Sequence, residues 1–390
     1  MSFTCDIFCA VVDNYGDIGV CWRLAKCLRD EGVAVRLWVD DLASFAKLCP
    51  ELDATSQLQL CRGVEVRRWS QPFPATTPAP LVIEAFACKL PPDYLAAMAA
   101  MLEPPLWVNL EYLSGEDWVE GCHRLPSPHP TLPLTRHFFF PGFSPKTGGL
   151  LLERDLLARR DAFQRDPQAI TAYWRSLDLP APEPDELRVS LFGYENAAVS
   201  GLLREWSEGA RAVTCLVPEG RILPQVAEFF GFDEGAADAG WRRGNLRVRV
   251  LPFVEQERYD TLLWACDVNF VRGEDSCVRA QWAARPFVWQ IYPQHDGVHL
   301  DKLRALLARY GAGMPSVATA ALSDLWLAWN TGADAGAAWE AFEVQRAVFR
   351  SRAEAWSASL AGHSLALNLL DFCRETGRMR AFEFSSSFTS

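Results

Sequence analysis

Two short segments carry acids and glycines in an order that a strand, a turn and a helix start would present to a cleft. The first, Asp13-Asn14-Tyr15-Gly16-Asp17-Ile18-Gly19, follows the apolar run from Asp6 to Val12. It is not G-x-G-x-x-G, and no G-K-[ST] follows, so neither a dinucleotide fingerprint nor a Walker loop is supported. Gly16 and Gly19 allow a backbone or ligand to approach closely. The loop offers carboxylates where phosphate-binding loops offer bare amides, which suits a cationic or hydroxylic group. One aspartate here would read as a helix cap. Two flanking a glycine turn, Asp13 and Asp17, read as chemistry.

The second segment, Phe270-Val271-Arg272-Gly273-Glu274-Asp275-Ser276, repeats that arrangement. Ser276 and the amides after it could hold a phosphate at a helix start, with Arg272 or Arg279 adding positive charge. The bland alternative is a cap from Asp275 or Ser276 and a surface ion pair at Arg272. Adjacent acids repel a phosphate, so Glu274 or Asp275 is expected to bond sugar hydroxyls or backbone. Phe192, Tyr194 and Phe253 follow strand ends in the same half, and rings with the Gln256 amide would suit a nucleobase.

The elements that must position these groups alternate regularly. Asp6 to Val12 reads as a strand, and Val20, Leu24, Cys27 and Leu28 fall on one helical face that Gly32 stops. Val33 to Val39 reads as a second, parallel strand. Further strands are expected at Leu81 to Ala87 and Leu106 to Leu110, while the proline-rich run Leu125 to Pro145 cannot form one regular element and is expected to wrap the surface near the cleft. Strands at 187–192, 212–217, 246–251, 267–271 and 287–291 alternate with helices at 197–206, 222–230, 255–264 and 276–284. Two doubly wound α/β domains follow, residues 1–180 and 187–375, joined by the acidic, proline-rich segment 177–186 and ending in a tail at 376–390. Their binding loops face a common cleft.

Composition removes several classes of function. The 390 residues carry 49 acids against 38 bases, a net charge of −11, which argues against gripping nucleic acid through bulk charge. No basic leader precedes the first apolar run, and no stretch approaches the ~18 apolar residues of a membrane helix. A cytoplasmic protein is expected. Twelve cysteines include no C-x-x-C and read as buried free thiols. His295 and His299 are four apart with Gly297 between them and no H-E-x-x-H pattern, so no metal site is expected.

Taken together, DNYGDIGVCWRLA, WVNLEYLSGEDWV, LPSPHPTLPLTRHFFFPGF, SLFGYEN and NFVRGEDSCVRAQWAARPFVWQIYPQHDGVH resemble the protein-arginine rhamnosyltransferases that modify bacterial translation elongation factor P. The resemblance runs from about Cys5 to the helices before the tail. It implies a GT-B glycosyltransferase fold, with the acceptor and catalytic base on the first domain and the nucleotide-sugar donor on the second. It further implies dTDP-β-L-rhamnose as donor, inversion at the anomeric carbon, no metal, and activation of elongation factor P through one arginine. The general base falls on Asp17 and its essential neighbour on Asp13, both on the acceptor side. Glu274 joins them as a catalytic candidate, and the donor candidates are Phe192, Tyr194, Phe253, Gln256, Arg272, Glu274, Asp275 and Ser276.

Arginine chemistry sets a demand on these acids. With pKa values of ~12.5 for Arg and ~3.9 for Asp, full proton transfer before attack would cost about 12 kcal/mol. The carboxylates must therefore bind the guanidinium and accept its proton as the C–N bond forms. The residues alone leave open a GT-B enzyme with another nucleotide sugar or acceptor, and a noncatalytic protein that docks on a translation factor. A nicotinamide oxidoreductase is disfavoured by the missing glycine fingerprint.

Overall fold

A computed structural model describes residues 3–12, 15–232, 240–294 and 297–377. Asp13, in the first acidic loop, His295 and most of the expected tail lie outside the described residues.

Apolar runs in the first half build one sheet. Strands β1 (Thr4–Cys9), β2 (Ala34–Val39), β3 (Leu58–Cys61), β4 (Val64–Arg68), β5 (Leu81–Ala85), β6 (Leu106–Leu110), β7 (Pro126–Pro128) and β8 (Thr135–Phe139) stand in the order β3-β4-β2-β1-β5-β6-β8-β7. Only the edge pairs β3–β4 and β7–β8 are antiparallel. Helices α1 (Gly16–Asp30), α2 (Leu42–Leu48), α3 (Pro92–Ala99), α4 (Val119–Cys122), α5 (Leu156–Arg165) and α6 (Pro167–Ser176) connect or follow these strands.

The second sheet has the order β11-β12-β10-β9-β13-β14, from β9 (Leu187–Leu191), β10 (Val213–Pro218), β11 (Trp241–Arg243), β12 (Leu246–Leu251), β13 (Val268–Arg272) and β14 (Phe287–Gln290). Among these pairs only β11–β12 is antiparallel. Its helices are α7 (Val199–Glu208), α8 (Leu223–Phe230), α9 (Gln256–Ala265), α10 (Asp275–Trp282), α11 (Val298–Gly311), α12 (Ser316–Thr331), α13 (Ala335–Val344), α14 (Arg346–Leu360) and α15 (Leu365–Glu375). Two parallel-rich doubly wound sheets with a cleft between them make this a GT-B fold.

Strand order decides where ligands can sit. In the first sheet β1 lies between β2 and β5; in the second, β9 lies between β10 and β13. Each is the point where the winding reverses, and crevices open at the carboxyl ends of strands there. The loops after β1, β9 and β13 are those carrying Asp17, Phe192 with Tyr194, and Arg272 to Ser276.

The run Leu125 to Pro145 departs from expectation. It does not simply wrap the surface near the cleft but contributes β7 and β8, which close one edge of the first sheet. The prolines fit because they lie on the short edge strand β7 or outside β8, whose TRHFF segment has none. Strand β5 stops at Ala85, two residues early, because Phe86 and Ala87 turn into the left-handed region at φ 54° and 53°.

The halves also exchange elements. Leu365, Leu369, Leu370 and Cys373 of α15 pack into the core of the first sheet, with Ile7, Leu24 and Val108. Leu156 of α5 and Trp174 of α6 belong instead to the core of the second sheet. The Trp282 indole N–H donates to the Leu151 carbonyl at 2.7 Å, and the Gln164 amide donates to the Trp264 and Ala283 carbonyls. All twelve cysteines are free thiols and ten are buried. Among the described residues no helix is long and apolar enough to cross a membrane.

Candidate functional site

The first acidic loop delivers Asp17 to the first turn of α1, where it is buried. It is not the N-cap; Tyr15 holds that position and makes no capping bond. One Asp17 carboxylate oxygen accepts the Val12 backbone N–H at 3.0 Å, and the other accepts the Tyr112 hydroxyl at 3.4 Å. The Tyr112 ring in turn stacks on Phe86, with centres 4.4 Å apart and planes 19° from parallel. The left-handed backbone at Phe86 thus brings an aromatic pair to the carboxylate, and non-glycine residues in that region are characteristic of functional sites.

Glu274 faces Asp17 from the other half. Its Oε2 accepts the Leu113 N–H at 2.9 Å, so the backbone partner expected for one of the two acids is found. Burial, with Asp17 close by, pushes the Glu274 carboxyl up to about 8, while the Leu113 N–H and the Lys302 ammonium pull the other way. Gly273 makes the turn before it at φ 64°, a conformation that disfavours any side chain, and its carbonyl accepts the Trp289 indole N–H.

The remaining second-half candidates separate into those that line the cleft and those that hold it together. Arg272 is buried, and its guanidinium carbon lies 4.5 Å from the Phe192 ring centre and 4.6 Å from that of Tyr194. These two rings, expected as a base platform, therefore give faces to Arg272. Phe253 meets Tyr15 at 5.0 Å across the cleft. Ser276 neither caps α10 nor points its hydroxyl outward: the hydroxyl bonds both the N–H and the carbonyl of Arg272. What it can offer a ligand is the uncapped amide end of α10. Asp275 bonds Arg23 at 2.8 Å and Gln256 at 3.2 Å. Arg279, the alternative source of positive charge for a phosphate, is excluded from that role. It is buried against Asp260 at 2.7 and 2.8 Å and Glu153 at 2.6 Å.

Two cavities meet at Gly16, Gly273 and Glu274. One, about 670 Å³, is lined by Tyr15, Phe192, Tyr194, Phe253, Gln256, Tyr259, Arg272, Asp275 and Ser276 among others. Among the described residues, the Gln256 side-chain amide oxygen and the Tyr259 hydroxyl are buried there without hydrogen-bond partners. Buried orphan polar atoms at a cavity wall mark places where a ligand completes the bonding. The other cavity, about 850 Å³, is lined by Asp17, Phe86, Tyr112, Trp289, Tyr292, His299 and Lys302 together with Glu274.

Sequence reasoning missed Tyr259, although it stands three residues after Gln256 on the same helical face. It also missed Tyr15, which lies within the first acidic loop, and Phe86, Tyr112 and Lys302, which carried no local pattern that pointed to the cleft. Among the described residues, one group could share a metal ion: Cys49, Glu51 and Cys61, remote from both cavities in their linings. Glu51 is paired with Arg62, and burial, with the Cys61 thiol beside it, pushes the Cys49 thiol up.

The chain is 50% identical over 380 residues to a protein-arginine rhamnosyltransferase of Pseudomonas putida, spanning 96% of this chain and 100% of the relative. It is 48% identical to the protein-arginine rhamnosyltransferase of Pseudomonas aeruginosa, spanning 90% and 93%. A solved structure concerning EarP-mediated arginine glycosylation of translation elongation factor EF-P superposes with a TM-score of 0.69 at 37% identity, covering 96% of this chain and 99% of the other. The family model described as elongation factor P (EF-P) rhamnosyltransferase EarP matches residues 5–374, and the chain belongs to that family.

Proposed function

We propose that this glycosyltransferase moves L-rhamnose from dTDP-β-L-rhamnose to an arginine side chain of translation elongation factor P, with inversion at the anomeric carbon. The observation that carries the reading is the junction of two unlike cavities at Glu274: one aromatic with orphan polar atoms, the other built around two facing carboxyl groups.

In this reading the nucleotide occupies the aromatic cavity. Phe253 supplies the stacking face, and the Gln256 side-chain amide oxygen and Tyr259 hydroxyl bond polar edges of the nucleotide. The diphosphate lies at the start of α10, where uncapped amides and the buried Arg272 meet its charge. The growing charge of the leaving group falls on these protein groups, and no metal is assigned a part. The sugar then stands at Gly16 and Gly273, between the cavities.

The acceptor guanidinium enters between Asp17 and Glu274. Asp13, at the same loop, is assigned to the same cation. The carboxylates of Asp13 and Asp17 draw the positive charge toward themselves and away from the attacking nitrogen. Attack comes from the face opposite the diphosphate, the C–O bond to the leaving group breaks as the C–N bond forms, and Asp17 takes the released proton. Inversion follows from a single displacement without a covalent sugar–enzyme intermediate.

The test combines purified protein, dTDP-β-L-rhamnose and elongation factor P, with intact-mass and fragment mass spectrometry as readout. One added deoxyhexose on one arginine is the expected result, and an unchanged mass overturns the assignment. Asp17→Asn is expected to bind both substrates and lose transfer. Near wild-type transfer by that variant would remove Asp17 from the role of base.

A further inference from the structure

Helix α1 meets the second half of the chain along one stripe. Gly19, Arg23 and Lys26 recur at spacings of four and three residues, so they share a helical face. The Gln256 amide donates to the Gly19 carbonyl at 2.9 Å, and a Cβ at Gly19 would lie 3.3 Å from Asp275 Oδ2. Arg23 donates from Nε to Asp275 at 2.8 Å, from Nη1 to Glu153 at 2.9 Å and from Nη2 to the backbone carbonyl of Gln256 at 3.3 Å. Lys26 reaches Glu257 at 3.3 Å. Apart from Glu153, every one of these partners lies in the first turn of α9 or α10.

Those same turns carry Gln256, Tyr259 and Asp275 into the lining of the aromatic cavity, while α1 begins with Gly16 and Asp17 at the junction. Arg23 itself lines neither cavity. It is completely buried, in a cluster of two cations, Arg23 and Arg279, and three anions, Glu153, Asp260 and Asp275. A planar fork with donors in three directions satisfies this geometry, and a lysine ammonium does not reproduce it.

We propose that Arg23 is a positioning residue for the transfer step: by bonding Asp275 and the backbone carbonyl of Gln256 it seats α1 against the donor half and so fixes Asp17 at the sugar. Asp275 then serves the donor site by holding Arg23 with its side chain, and Gln256 links the Gly19 backbone to the cavity wall. The inference rests on the assignment of transfer above.

The test uses the full-length chain with two substitutions. Arg23→Lys keeps the buried charge and removes the fork. Gly19→Ala keeps every buried charge and inserts a methyl against Asp275 in a helix that tolerates alanine. Binding of dTDP is measured by titration calorimetry, and kcat and acceptor KM by mass-resolved transfer assays normalised to folded, dTDP-binding protein. Misplacing Asp17 is expected to lower kcat by about 30- to 100-fold in Arg23→Lys and about 5-fold in Gly19→Ala, with dTDP affinity and acceptor KM within about threefold of wild type. If Arg23→Lys does not fold, Gly19→Ala decides alone. Variants with wild-type kcat per folded molecule overturn the inference, as does a loss confined to dTDP affinity. A wild-type protein that transfers no rhamnose overturns the transfer assignment and this inference with it, whereas an active wild type with unaffected variants overturns this one only.

Discussion

Glu274 is a carboxyl whose surroundings carry it far from what its type would suggest. Its carboxyl stands near 8 against an ordinary 4.5, with burial as the first cause and Asp17 of α1 as a further one; Asp275 adds to the rise and Lys302 of α11 opposes it. A carboxyl raised in the folded chain favours folding fully below pH ~4.5 and loses that contribution as pH climbs through about 8. Glu274→Gln is therefore expected to leave stability at pH 4.5 unchanged and to raise it above pH 8 by about 2 kcal/mol, seen as a few degrees in melting temperature. Equal melting points for the two proteins at pH 8.5 would contradict the strained carboxyl. The same group couples binding to pH. An arriving guanidinium favours the ionised form, so acceptor KM should fall between pH 6.5 and 8.5 in the wild type and stay flat in Glu274→Gln, whose kcat drops by about 100-fold. Tyr112 contributes one hydrogen bond to Asp17, and Tyr112→Phe is expected to lower kcat/KM by about 3- to 10-fold with unchanged dTDP affinity. The placing of Asp17 and Glu274 at the cleft was legible in the sequence because each follows an apolar run and stands beside a glycine turn, whereas their roles were implied only by the family resemblance. Tyr112 and Phe86 were not, since a chain that is 12% aromatic offers many such rings and only the left-handed turn at Phe86 turns that one toward the carboxylate.

At the scale of elements, α1 illustrates what periodicity can and cannot reveal. The apolar face Val20, Leu24, Cys27 and Leu28 was readable, and Gly32, at φ 84°, follows the helix end as expected. The opposite face is not solvated: Arg23 and Lys26 are buried as well, because the helix is enclosed between its own sheet and the second half. No one-dimensional pattern distinguishes a solvated arginine from one buried in a matched cluster; the partners are 130 and 252 residues away. Five strands of the second half were readable to within a residue, β12 without error although it alternates apolar residues with arginines, while the short edge strand β11 was not anticipated. Strand β8 was hidden by flanking prolines, which mark an edge as well as a loop. Ser276 follows the same logic at the other motif. Its hydroxyl closes the turn on Arg272, so Ser276→Ala should cost stability through that turn, about 1 kcal/mol, and lower dTDP affinity only modestly because the amides of α10 remain.

The whole molecule is less divisible than its two sheets suggest. Residues 156–176 leave the first sheet to pack on the second core, and α15 returns from the second half to complete the first, so the chain crosses between the halves twice. Each half thus exposes apolar surface if separated at the 177–186 segment, and the buried cluster around Arg23 further ties the opening of the cleft to the loss of matched charges. Unfolding is expected to be a single transition by calorimetry, with calorimetric and van't Hoff enthalpies in agreement, although most chains of this size with two sheets unfold in stages. A chain ending at Gly362 removes α15 while keeping every strand and every residue of both cavities. Burial of Leu365, Leu369 and Leu370 is then lost, at about 1.5–3 kcal/mol for each side chain. The first half should melt earlier than the second, splitting the transition in two, with dTDP affinity retained below the first melting step because the aromatic cavity is built largely from the second half. One unsplit transition in the shortened chain, at the wild-type temperature, would mean that α15 contributes nothing to the first core.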